Sequence, residues 1–176
     1  MAMRRPFNGE RGAGNEGVPA GDETSPALPA AKQAARFYIL DGTRPESPEA
    51  GTWQRIAEAL PAGVEVVGQR ETARVMNEIA TELARREAAN DEDAPPIYLV
   101  VFNGGRFRDL RRGEDDFSFS MDRDKPPSPD KQWAEILRNG PAWGVHSLVW
   151  CDSYNNVNRL FDRMALREFE MRVAFR

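Results

Sequence analysis

The amino-acid sequence predicts an α/β fold: a mainly parallel sheet with helices on both faces. Two observations carry that expectation. Short apolar runs alternate along the chain with stretches whose apolar residues recur at helical spacing, the order that builds βαβ units. The apolar runs are also near-continuous, without the polar alternation of a strand wetted on one side, as expected for a sheet covered on both faces. With 176 residues, 40% hydrophobic and 30% charged, the chain fits one domain that buries a useful core. It contains no internal repeat.

Residues 1–33 are rich in Gly, Pro and Ala, with Phe7, Val18 and Leu28 as the only sizeable apolar side chains past Met3. Such a segment buries too little surface to offset its ordering entropy and is expected to be a disordered tail. Residues 34–176 are expected to fold. "RFYILDG" (36–42) is a strand closed by an Asp-Gly turn. "TWQRIAEAL" (52–60) places Trp53, Ile56, Ala57 and Leu60 at helical intervals, and Pro61-Ala62-Gly63 stops it. "VEVVG" (64–68) is a second strand. From Glu71 to Ala88, Val75, Met76, Ile79, Ala80 and Leu83 form an apolar stripe, with Arg and Glu expected opposite.

After the polar linker 90–96 comes "IYLVVF" (97–102), the most apolar strand, and 112–130 reads as a long loop. Ser128-Pro129 supplies an N-cap and an N1 proline for a helix 129–139, stopped by Asn139-Gly140-Pro141. "VHSLVWC" (145–151) is a strand. A helical stretch 157–170, breaking near Arg163, leads into a last strand at 171–175.

Several function classes are excluded at this level. One cysteine, Cys151, rules out an internal disulfide framework and suits the cytosol, and one His with one Cys excludes a Cys/His zinc site. No apolar run approaches the ~20 residues that span a bilayer, so a cytoplasmic location is expected. The formal charge of −4 removes a global field for nucleic acid, leaving the arginines of 106–112 as the one local patch. Lysine stands only at 32, 125 and 131, and none follows a glycine, so the chain has no GxxxxGK[ST] phosphate loop.

Ligands of open α/β sheets bind beyond the carboxyl ends of the strands. Asp41-Gly42-Thr43 fits a capped βα turn; a haloacid-dehalogenase nucleophile loop would need an aspartate where Ile39 stands. Asp152-Ser153 suits either a helix N-cap or a contact to phosphate or water. His146 sits at the opposite end of its strand and reads as structural. The acidic groups around Phe117 and Phe119 read as a solvated loop or a segment that docks a partner. Arg106, Arg108 and Arg111 suit a solvated face with Asp109 as partner, a phosphate contact, or a nucleic-acid backbone patch.

Taken in order, "IYLVVFNGGRFRDLR", "SPDKQWAEILRNGPAWGVHSLVWCDS" and "LREFEMRVAFR" resemble the motor domain of FtsK/SpoIIIE-type ATPases, in the FtsK–HerA group. Gly140 and Gly144-Val145-His146 match the family's middle element, Asp152 falls near its polar sensor, and Arg172-Val173-Ala174-Phe175 matches its later strand. The resemblance implies a RecA-like P-loop NTPase fold, ATP and Mg²⁺ as cofactors, and ATP-driven translocation of DNA or polypeptide. Asn103 and Gly104 occupy the positions of the family's acidic pair, so the carboxylates that hold Mg²⁺ and polarise water are missing. The expectation is therefore a truncated or degenerate motor domain, inactive alone. Two rivals stand beside it. One is a non-catalytic RecA-like module that packs beside an active motor subunit and offers arginines to its site; the other is an unrelated small α/β enzyme with a site near Asp41 and Asp152. DNA, a homo-oligomer and a complete motor subunit are the partners the resemblance implies.

Overall fold

A computed structural model describes residues 35–60, 63–113 and 127–175. The expected tail, the core of the 112–130 loop and Pro61-Ala62 lie outside these residues. Four strands, β1 (Arg36–Asp41), β2 (Val64–Val67), β3 (Ile97–Phe102) and β4 (Val145–Val149), form one sheet in the order β2-β1-β3-β4. Every pairing is parallel. β1 and β3 are interior strands and carry the most apolar sequences, because a strand flanked on both sides meets water at neither edge.

The register fixes the two faces. Tyr38, Leu40, Leu99, Val101 and Val145 share one face with Val67. Helices α2 (Thr72–Ala89) and α3 (Pro129–Asn139) cover that face, burying Val75, Met76, Ile79 and Leu83 from the first and Trp133 and Ile136 from the second. Leu40, Leu99, Val101, Val75 and Ile136 are all fully buried. Pro129 occupies the first turn of α3 behind Ser128, whose side chain makes no capping bond.

The opposite face is aromatic. Phe37 stacks on Tyr98 at 5.0 Å and Tyr98 on His146 at 5.5 Å, while Phe102 stacks on Trp150 at 4.8 Å. Helix α1 (Thr52–Ala59) reaches this face through Trp53, edge-on to Phe102 at 5.4 Å. Helices thus lie on both faces, but α1 covers the second one only in part. Leu148 and Trp150 remain 53% and 43% exposed.

Arg86 departs from the expected polar side of α2. It is fully buried, donating from Nε to Glu82, from Nη1 to the Trp143 carbonyl and from Nη2 to the Pro95 carbonyl, at 3.0, 2.8 and 2.8 Å. Each of the three guanidinium nitrogens thus has an acceptor, which offsets much of the cost of burying the charge. The signal was in the spacing: Ile79, Leu83 and Arg86 lie on one helical face.

The C-terminal part differs from expectation. β4 ends at Val149 rather than Cys151, and α4 (Tyr154–Leu160) is followed by a break at Phe161–Met164 and a 3-10 turn, Ala165–Glu168. Met171–Phe175 forms no strand. Its composition suits one, but a strand exists only as a pairing, and no backbone hydrogen bond joins this segment to another described residue.

Candidate functional site

Three strand ends meet at the carboxyl side of the sheet. After β1, the Asp41 carboxylate accepts the Thr43 N–H at 2.8 Å, closing a tight Asx turn. Gly42 donates its N–H to the Phe102 carbonyl at 2.9 Å, and a Cβ there would stand 2.6 Å from that oxygen. Only glycine permits that approach between the first and third strands' ends.

After β3 the chain turns at once. Asn103 adopts a left-handed conformation, φ 57°, and opens the 3-10 turn Gly104–Arg106. Asparagine tolerates this region better than most side chains. The Gly104 N–H donates to the Trp150 carbonyl, and the Trp150 N–H to the Val101 carbonyl, both at 2.9 Å, extending the β3–β4 ladder past the strands. A Cβ on Gly104 would lie 2.8 Å from Leu160 Cδ1 and 3.3 Å from Cys151 Sγ. One on Gly105 would overlap the Asn156 amide at 2.4 Å. Both glycines are therefore packing positions, with α4 laid directly across them.

After β4, Ser153 is the N-cap of α4, its hydroxyl accepting the Asn156 N–H. Asp152 is exposed and accepts from Asn156 Nδ2 at 2.5 Å. Asn156 thus links the carboxylate to the glycine turn. The N-cap reading of this pair describes what its polar groups do. Cys151 is half-buried; burial, with Asp152 beside it, pushes its thiol pKa up, so it is not an activated thiolate.

The arginines do not converge. Arg111 donates from Nη2 to the Gly105 carbonyl at 2.7 Å, stapling the turn, while Arg108 is exposed and Arg106 half-buried. No salt bridge joins them to Asp109 among the described residues. His146 lies on the aromatic face, stacked on Tyr98, near the amino end of β4.

Mg²⁺ does not fit the described residues at these strand ends. Among the described residues no three His, Cys, Asp or Glu side chains come together to hold a metal ion. The end of β3 offers an amide and a glycine, and Asn103 Oδ1 is buried without a partner. A neutral amide oxygen has no charge with which to draw a dehydration-resistant dication out of water.

An open trough of about 530 Å³ adjoins this site. It runs between Val149–Tyr154 on one side and Met171–Phe175 on the other, with Val157, Phe161, Leu166 and Phe169 among its lining. Its character is apolar, and sequence reasoning did not foresee it.

No protein-family model and no curated protein matches this sequence. Among solved structures, it is similar to the cytoplasmic domain of the Thermomonospora curvata Type VII secretion ATPase EccC, at 18% identity and a TM-score of 0.49. That likeness covers 78% of this chain and 16% of the other. No helix among those described is long and apolar enough to cross a membrane.

Proposed function

We propose that this chain is a non-hydrolysing module of the FtsK/SpoIIIE type, working through association rather than through phosphoryl transfer. The observation that carries the reading is the end of β3. An interior, fully packed strand delivers Asn103 and Gly104 to the place where the family's acidic pair would stand, and α4 closes over them. With no phosphate loop in the sequence, neither the β- and γ-phosphates nor the metal has a holder. Phosphoryl transfer depends on that positioning and charge.

Support for the family comes from the ordered motifs of 97–176 and from the all-parallel sheet, whose β3 and β4 carry the first two of them. ATP, Mg²⁺ and DNA are expectations of the family. Arg111, being engaged with the turn, leaves Arg106 and Arg108 as the weaker remnant of a polyanion contact.

Phosphate release under single-turnover conditions, with a parallel titration of a fluorescent ATP analogue, tests the reading. No release above an identically purified blank is expected, with or without DNA. Stoichiometric nucleotide binding followed by turnover would sink it, and salt-independent behaviour toward DNA would remove the arginines from consideration.

A further inference from the structure

We propose that two copies of this chain associate by exchanging their C-terminal segments, Met171–Phe175 of each copy adding as a strand to the β4 edge of the other. The proposal deepens the associative reading above by naming the partner as a second copy.

The acceptor is an unprotected sheet edge. Among the described residues β4 pairs with β3 alone, and its outer row of N–H and C=O groups has no backbone partner there. Sheet edges are normally blunted by charge, proline, bulges or shortness. The other edge, β2, shows two such devices: it has four residues, and Glu65 within it is held in an ion pair with Arg74. β4 reads Val-His-Ser-Leu-Val and has none of them.

The donor is a strand without a sheet. Met171, Val173 and Phe175 alternate with Arg172 and Ala174, the period of a strand with one apolar face. Those three apolar side chains are 81%, 68% and 86% exposed. The trough lies between this segment and the end of β4. A second copy's segment seated there pairs with β4 on one side and with the resident segment on the other. Two-fold symmetry then places each segment in the other copy's trough, so the contact is isologous and closes as a dimer.

Sedimentation of the full chain over a wide concentration range tests the proposal. A reversible dimer is expected. Val173→Pro, which removes a ladder donor, should weaken it about tenfold or more. Its circular dichroism should not change, because the segment makes no backbone bond to the described fold. A strict monomer at every concentration, or a dimer indifferent to Val173→Pro, would overturn the exchange. A second measurement uses Cys151, which lines the trough. In Val173→Cys, mild oxidation should give a disulfide-linked dimer that the parent does not form. An intrachain disulfide alone would show that the segment closes onto its own sheet and would also overturn the proposal.

Discussion

Arg86 is a fully buried cation that ties three separate parts of the fold together. Its three partners come from α2, from the linker before β3 and from the turn before β4. Replacing it by Met roughly keeps the volume but leaves the Pro95 and Trp143 carbonyls without this donor, while Glu82 retains only Arg85 and Arg36. The expected loss, read from urea unfolding, is about 3–5 kcal/mol, the range for breaking one side of a buried pair. Glu82 provides an independent check. Hydrogen bonds from Arg85, and then Arg86, lower its pKa from 4.5 to about 2 against the opposing effect of burial. Above pH 4.5 the carboxylate is ionised in both folded and unfolded chains and its stabilisation is complete. As pH falls toward 2 the unfolded chain takes up the proton first, so stability drains across that window. Because the leading partner, Arg85, is solvent-exposed and screened, the amount at stake is on the order of 1 kcal/mol. Glu82→Gln should flatten the acid limb of a stability–pH curve between those limits, and an unchanged slope would show that other carboxylates govern it.

At the scale of elements, β3 is the strand on which the functional argument rests. Leu99→Ala should cost about 2–5 kcal/mol, because a fully buried side chain in an interior strand leaves a cavity that its neighbours fill incompletely. Restoring acids at its end, by Asn103→Asp with Gly104→Glu, should produce no ATP hydrolysis in a single-turnover assay. It should also destabilise the chain by about 1–3 kcal/mol, since the new side chain displaces Leu160 and Cys151. Much at this scale was legible beforehand. α3 begins at Pro129 and ends at Asn139 as its cap residues predict, and β1 and β3 keep their expected limits. Signals of that kind are local: a proline at N1, a run of β-branched residues. The segment 171–175 shows where local signals stop, because strand propensity is written in a sequence and a hydrogen-bonding partner is not. The candidate site divides in the same way. The amide and glycine after β3 were plain in the sequence. That α4 lies across Gly104 and Gly105, and that Arg111 turns inward, depended on contacts between distant stretches.

Among the described residues, the fully buried side chains of α2 and α3 lie on one face of the sheet, and the stacked aromatic side chains of the strands lie on the other. Periodicity predicted helices on both faces but could not say how unequally they share the work, because β1 and β3 read as apolar from either side. The architecture also joins the chain in a particular temporal order. β1 sits between β2 and β3, so the first three strands can pair once residue 102 has been made. Their helix α2 cannot settle so early. The guanidinium of Arg86 must go to a dry position, and one of its acceptors is the carbonyl of Trp143. Until that residue clears the ribosome, a nascent chain either keeps α2 lifted from the sheet or buries a cation one acceptor short. Stalled chains ending before Trp143 are therefore expected to remain open to protease, and those extending well past it to close.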